Sequence, residues 1–411
     1  MSNTACVVTG MSAITPLGHD LDTMWQQLQS GANAIRPLNG SVKTRGIKVA
    51  AYIDPSQFDT YCPDYKSKKT DRSTTLALNA VNLLIQQDPT LDLRDAGVIL
   101  GTGFGITELA DHLYRDTYEK KLRVPPHTIT ACMENVTASQ VAMTYGCRGY
   151  NSTLFTACSA GTNALGLAYR LIKHGYERKM LVIGVDASLT QIMLDAWAAL
   201  RAGSISDNPS QACLPFSQNR SGLVVGEGVG VMLLESSDSA SSRKATVHAK
   251  IAGYASNCDA AHITQSDVNS QAAVIKSALS DAGLSNQDIQ MISAHGTATV
   301  VGDKAEAEAI NLVFGANNGI PVNALKSQLG HTIGASGILE SIFSIMMMQK
   351  STILPTINYT PDPLCPINVI PKTTHADMGH VLKNSFGFGG NNASLILALS
   401  SAENKKGISK G

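Results

Sequence analysis

A thiol set where a strand pattern breaks into small residues ahead of a helix is placed to be acylated, and Cys158 in Asn151–Thr162 (NSTLFTACSAGT) stands at such a break. The helical pattern ALGLAYRLIKHG follows, so the thiol faces the positive end of a helix dipole. Ala157, Ser159, Ala160 and Gly161 leave room for an acyl group. Both effects favour a reactive thiolate. The arrangement is similar in principle to the strand-turn-helix elbow of hydrolases, without their G-x-S-x-G sequence. Taken alone, the pattern serves a buried structural cysteine equally well.

Two histidines extend the case. Met291–Gly302 (MISAHGTATVVG) ends a strand pattern on His295, and Asn323–Gly337 (NALKSQLGHTIGASG) carries Lys326 and His331 through a second strand-to-loop segment. Singly, each histidine reads more readily as a satisfied structural group. As a pair, two imidazoles can donate hydrogen bonds to one thioester carbonyl, polarise it, and stabilise the enolate formed as CO2 leaves. Neutral donors suit this because they do not quench the carbanion. That is a Claisen-type requirement. Lys326 stands among small and apolar neighbours and needs a partner, for which Glu340 on the following helical pattern is the nearest candidate in sequence.

These groups must be held by the elements around them. Apolar runs of strand length at Ala5–Thr9, Gly97–Gly101, Met180–Val185, Gly230–Leu234, Val247–Ile251, Gln290–Ala294 and Ser394–Leu399 alternate with helical patterns. The helices are expected at Thr75–Gln87, Ala160–His174, Gln271–Ala282, Lys304–Phe314 and Ala335–Gln349. The alternation predicts α/β layers, with the site where strands end in Gly, His or Cys. The serine-rich stretch Ser236–Ser242 is the expected boundary between two halves, residues 1–240 and 241–411, although no repeat is legible between them.

The totals narrow the function classes. Of 411 residues, 44% are hydrophobic and 16% charged, which describes a chain that buries a large core. Thirty-two basic side chains balance 32 acidic ones, so no overall field attracts nucleic acid or an anionic membrane, and any electrostatic partner site must be local. No run of about 18 apolar residues is present, and Thr4–Gly10 reads as a strand rather than a leader. The expectation is a cytoplasmic protein without membrane insertion. Eight cysteines form no C-x-x-C pair and no His/Cys cluster, which argues against disulfides and structural zinc.

The chain resembles the elongating β-ketoacyl-acyl-carrier-protein synthases of type II fatty-acid and polyketide systems. The resemblance rests on TACSAGTNA around Cys158, AHGTATVVGDKAEAEAI around His295, KSQLGHTIGASGILE around Lys326 and His331, and NSFGFGGNNAS at Asn384–Ser394. It implies a thiolase-like fold, two related halves in a five-layer αβαβα architecture, with a dimer interface near the acyl pocket. It implies that Cys158 is the acylated nucleophile, that His295 and His331 bind the malonyl carbonyl, and that Lys326 and Glu340 organise the centre. The backbone N–H groups of Cys158 and Phe388 would form the oxyanion hole. Phe388 would also be the gating aromatic, its loop freed by Gly387, Gly389 and Gly390. Phe386 and Gly387 would line the substrate site, and Thr297 and Thr299 would bond the phosphopantetheine arm. Substrates would arrive on acyl carrier protein with no metal or organic cofactor. Lys66, Lys68 and Lys69 offer a basic patch for that acidic carrier, or an ordinary solvated face.

Two departures point away from a housekeeping role. Ser217 and Ser221 stand where relatives usually carry aspartates, and Phe104 occupies a place similar to the floor of the acyl pocket, where an aromatic would shorten or reshape it. The expectation is a specialised polyketide or polyene synthase, as a homodimer or paired with a chain-length subunit. The competing readings are a degradative thiolase acting on coenzyme A thioesters and a non-catalytic chain-length partner. Cys158 with both histidines disfavours the latter. The FGFGG region lacks the second cysteine expected of a thiolase, and Cys365 is far from it in sequence.

Overall fold

The computed structural model describes residues 4–38, 44, 46–62 and 70–399. Eleven strands form one mixed sheet: β1 (Cys6–Ile14), β2 (Gly97–Gly101), β3 (Asn151–Leu154), β4 (Lys179–Asp186), β5 (Gly228–Ser236), β6 (Ala249–Cys258), β7 (Met291–Ser293), β8 (Pro321–Asn323), β9 (Asn368–Val369), β10 (His380–Gly387) and β11 (Asn391–Ala398). Their spatial order is β9-β8-β7-β10-β11-β6-β1-β5-β4-β2-β3.

That order contains a repeat. Outward from β1, the strands run β5 antiparallel, β4 antiparallel to β5, then β2 and β3 parallel. Outward from β6, the strands β11, β10, β7 and β8 repeat those senses in the same chain order. The half-sheets meet only where β1 and β6 pair over Cys6↔Ile251, Val7↔Lys250 and Val8↔Ala249. Sequence periodicity cannot show this repeat, because each half needs only strands covered on both faces, and many side chains satisfy that need.

Helices cover and fill the sheet. The outer faces are covered by α1 (Arg72–Gln87) with α2 (Val136–Tyr145) on one half, and by α5 (Val268–Ala282) with α6 (Val300–Phe314) on the other. Two central helices, α3 (Ala160–Lys173) and α7 (Ser336–Gln349), each touch strands of both halves, which makes the five layers. The helix α7 is buried from Ser336 to Met348, as its apolar sequence ILESIFSIMMM demands of an element with no solvent face. The resulting α/β thiolase-like fold matches the expectation.

The central helices set the site. Each begins with a 3₁₀ turn, Ala157–Ser159 before α3 and Ile333–Ala335 before α7. Each turn opens on a non-glycine residue in the left-handed region, Ala157 at φ 50° and Ile333 at φ 48°. Four residues on from each, a glycine lets the helix starts approach. A Cβ on Gly161 would lie 2.5 Å from the Gly334 carbonyl oxygen, and one on Gly337 would lie 2.4 Å from the Thr162 nitrogen. Backbone atoms on two buried helices cannot yield cheaply. We therefore expect Gly337→Ala to destabilise the protein by about 1–3 kcal/mol, read as a lower urea midpoint, whereas an unchanged midpoint would show that the helices separate freely.

Candidate functional site

Cys158 lies at the C-terminal end of β3, on the turn that starts α3, and is 6% exposed. Ala157 before it is left-handed, the kind of stored strain that a site tolerates when packing determines it. Burial pushes the Cys158 thiol up to about 11, against the opposing pull of the Lys326 ammonium and of the Phe388 and Cys158 backbone N–H groups. The cationic surroundings expected to favour a thiolate are present as Lys326 and two N–H groups, and desolvation opposes them. The two N–H groups that face the sulfur are those the resemblance assigns to an oxyanion hole.

His295 follows β7 and His331 precedes the turn into α7, so the second half supplies both imidazoles and the first half supplies the thiol. Their rings stand edge to face with centroids 5.4 Å apart. The Cys158 sulfur and one nitrogen from each ring lie within 4.8 Å of one another. The hydrogen bonds assign the tautomers. Ile333 N–H donates to His331 Nδ1 at 3.1 Å, and the Lys326 ammonium lies 3.4 Å from His295 Nδ1. Both Nδ1 atoms therefore accept, leaving the protons on Nε2. His331 Nε2 is buried without a protein partner. Desolvation, followed by the Lys326 charge, holds both imidazoles well below the usual histidine range, so they are neutral donors.

The same assignment bears on metal binding. The spacing of Cys158, His295 and His331 suits a small cation, but a metal needs the Nε2 lone pairs, which these tautomers occupy with protons. Such an ion would also stand beside the Lys326 ammonium. The trio fits an anion or a carbonyl oxygen better than a metal.

Lys326 is 1% exposed and donates to the His295 carbonyl and to Glu340 Oε1, both at 2.6 Å. This is the partnership expected from the sequence. A second buried lysine, Lys383 on β10, lies 2.8 Å from the other Glu340 oxygen. Besides Lys383, four residues here escaped the sequence reading. Glu306 accepts the backbone N–H groups of His295 and Gly296, each at 2.8 Å, and so fixes that peptide. Asp303 accepts those of Phe216, Thr297 and Ala298. Burial pushes Asp303 up to about 7 and raises Glu306 as well. The signal available was the i, i+3 spacing of Asp303 and Glu306, which turns both carboxylates back on the loop that carries His295.

Asp186, the third of these, ends β4 and accepts from Gly103 N–H, Phe104 N–H and Thr102 Oγ1 on one side and Gly334 N–H on the other. It ties the Phe104 loop to the His331 loop. Burial pushes it up to about 6. Its apolar strand gives no sign of this work. The fourth is Trp197 on α4 (Gln191–Ala199), whose ring meets Phe104 at 6.1 Å and Phe388 at 6.0 Å between centroids. The candidate floor and gate thus share one aromatic wall.

A cavity of about 370 Å³ leads to Cys158, lined by His295, His331, Thr297, Thr299, Phe386 and Gly387 among others. Thr297 and Thr299 hydroxyls bond each other at 3.0 Å, and Thr299 also caps α6 by accepting Gly302 N–H. Around Phe388 the glycines act differently from the expected loosening. Gly387 is extended, and a Cβ there would lie 2.8 Å from the Thr156 carbonyl oxygen, so it serves close approach to the nucleophile turn. Gly389 and Gly390 take left-handed φ of 81° and 73°. Their loop is tied to Ile263 and Asp259 by backbone bonds. Ser221 lines the cavity, while Ser217 accepts Thr360 N–H away from it. Cys365 is buried in the core beside Phe216, outside the site. The proposed docking residues Lys66, Lys68 and Lys69 lie outside the described residues.

Comparison with known proteins agrees with this geometry. The family model "Beta-ketoacyl synthase, N-terminal domain" matches residues 3–240, and "Beta-ketoacyl synthase, C-terminal domain" matches residues 248–360. The chain is 34% identical over 408 residues to a 3-oxoacyl-[acyl-carrier-protein] synthase 2 of Staphylococcus aureus, covering 96% of this chain and 98% of that one. A β-ketoacyl synthase from Burkholderia phymatum superposes with a TM-score of 0.87 at 32% identity, covering 97% of this chain and all of the other. A type II polyketide ketosynthase solved with its acyl carrier protein and bound to a hexaketide gives the same TM-score at 30% identity, again over 97% of this chain and all of the other. The chain belongs to the β-ketoacyl synthase family.

Proposed function

We propose that this β-ketoacyl synthase joins an acyl group held on Cys158 to a malonyl group held on acyl carrier protein, releasing CO2 and a 3-oxoacyl carrier. The observation that carries this reading is the gathering of two neutral imidazoles, one nitrogen from each, around a buried thiol at the end of a cavity. In the first half-reaction the Cys158 sulfur attacks the acyl thioester. The oxygen charge is taken by the N–H groups of Cys158 and Phe388, the carrier thiolate leaves, and the cysteine proton neutralises it.

In the second half-reaction the malonyl thioester oxygen lies against His295 and His331. Its carboxylate departs as CO2, and the electron pair becomes an enolate stabilised by the two donors. The enolate carbon attacks the acyl carbonyl, and the bond to Cys158 breaks, returning the thiolate. Protonated imidazoles would deliver a proton to the carbanion, so the burial that keeps them neutral protects the intermediate. Thr297 and Thr299 would hold the phosphopantetheine arm in the cavity. No metal or organic cofactor enters these steps.

Partner and pathway follow from the same surroundings. Tyr114, Tyr118, Leu122, Val124 and Ile129 expose apolar surface on the segment that follows Phe104, which suits burial against a second ketosynthase-type chain. One structural relative, at a TM-score of 0.89 and 28% identity over 97% of this chain and all of the other, is a ketosynthase/chain length factor. The partner is a like or related chain, and the compartment cytoplasmic. No described helix is long and apolar enough to cross a membrane. The rings of Phe104, Trp197 and Phe388 favour a specialised acyl group over a long saturated one. Residues 1–240 and 241–411 would serve as the nucleophile half and the enolate half.

Intact-mass measurement with acyl carrier and malonyl carrier tests the scheme. Cys158→Ala should take no acyl adduct. His331→Ala should keep the adduct and lose about 10²–10³-fold in condensation, and an adduct independent of Cys158 would sink the mechanism. Because burial lifts the thiol to about 11, its reactive fraction grows as pH rises. Alkylation of Cys158 by iodoacetamide should accelerate through pH 7 to 9, by about tenfold per unit, whereas a plateau reached by pH 7 would mean a preformed thiolate. Phe104→Ala should shift the kcat/KM preference toward longer chains by about tenfold, measured across an acyl-carrier panel.

A further inference from the structure

The second lysine on Glu340 has no part in the scheme above. Lys383 is 0% exposed at the middle of β10, and its ammonium meets three oxygens of different origin. It lies 2.8 Å from Glu340 Oε2, donates to Ser385 Oγ at 2.9 Å, and donates to the Asn384 carbonyl. Ser385 in turn shares a hydrogen bond of 2.8 Å with Thr162 on α3, one turn past Cys158. A continuous polar path therefore runs from His295 through Lys326, Glu340, Lys383 and Ser385 to the nucleophile helix.

We propose that Lys383 is a positioning residue for the decarboxylating centre, acting by sharing Glu340 with Lys326. The proposal rests on the reading of the two half-reactions given above. Glu340 gives one oxygen to each lysine, at 2.6 Å to Lys326 and 2.8 Å to Lys383, so Lys383 holds the second oxygen away from Lys326. Lys326 therefore keeps its contacts with the His295 carbonyl and Nδ1, and those contacts hold the His295 proton on Nε2. Without Lys383, Glu340 Oε2 has no cation, and the carboxylate draws Lys326 toward itself. His295 Nδ1 then loses its donor, and the ring is free to take the other tautomer, which presents a lone pair to the thioester oxygen instead of a proton.

Charge balance leads to the same place. Facing Lys383 are Glu340, Lys326 and Glu306, with His295 and His331 beyond them. The two lysine side chains face two carboxyl groups, and burial lowers Lys383 as it raises Glu306. Removing Lys383 takes the basic partner from one Glu340 oxygen beside the place where a further negative charge has to develop. A buried cation that only filled space would be a costly choice beside a leucine of the same volume.

The test separates the half-reactions in the full-length protein. Acylation is followed as the rate of the Cys158 adduct from acyl carrier, and the second step as condensation of the preloaded adduct with malonyl carrier. Lys383→Met should lower the condensation kcat by about tenfold or more with little change in the malonyl-carrier KM, while the acylation rate stays within about twofold. Lys383→Arg, which keeps a cation against Glu340, should recover most of the loss. Lys383→Gln supplies a second neutral variant should the methionine protein fail to fold. Equal loss in both half-reactions together with a lower melting midpoint would reduce Lys383 to a packing role and overturn the proposal, as would full activity in both neutral variants. A wild type that forms no 3-oxoacyl product would overturn the condensing function instead.

Discussion

A lysine ammonium buried to 1% exposure must be surrounded by oxygen or it cannot stay charged, and Lys326 meets that demand with the His295 carbonyl and Glu340. Much of the site depends on this one requirement. The groups that satisfy the ammonium belong to the loop after β7 and to α7, so the charge fastens a strand end to a central helix. It also sets the chemistry of the neighbouring ring: a cation against His295 Nδ1 opposes a second proton and directs the first to Nε2. Burial and the nearby charge act in the same direction on both imidazoles, which is why a pair of histidines can serve as stable neutral donors.

The repeated half explains how such a centre is assembled at all. A strand, a left-handed residue, a 3₁₀ turn and a helix occur twice, and the two helix starts meet through Gly161 and Gly337. In one half the turn carries the thiol. In the other it is preceded by His331, and Asp186 fastens it to the Phe104 loop. Two copies of one device meet in the central layer, which brings Cys158 of one half and the two histidines of the other to a single cavity. The left-handed residues Ala157, Ala298 and Ile333, each beside one of the three chemical groups, store strain that this packing holds in place.

What was legible in the sequence follows from which interactions are local. Cys158, the histidines and the Lys326–Glu340 pair stood out because each sits in a short segment whose residue types conflict with a bland core: a thiol among small residues, a lysine among apolar ones. The α/β alternation and the long helices were equally readable, since periodicity reports burial directly. The repeat was not, because strand order is a property of pairing between distant segments. Lys383 escaped for a related reason. On β10 it opens a polar run, Lys383–Asn384–Ser385, such as a solvent-facing stretch would carry, and only the placement of α7 against that strand turns it into a buried group. The burial of Cys158 was not legible for the same reason: a helix dipole can be inferred from sequence, whereas desolvation depends on what closes over the turn.

The same closure links reactivity to selectivity. Phe388 supplies both a backbone N–H that faces the Cys158 sulfur and a ring packed on Trp197, whose other edge meets Phe104. In the proposed reaction an acyl group on Cys158 would have to displace or slide along these rings, and any displacement of Phe388 would also move the N–H group proposed as oxyanion donor. Fit of the acyl chain and stabilisation of the tetrahedral oxygen are therefore one geometric condition. A chain that fits poorly is penalised in the rate of transfer as well as in binding, so selectivity enters through the transition state. Aromatic walls tighten this condition, since a rigid ring yields by rotating as a whole where an aliphatic side chain would adjust one carbon at a time.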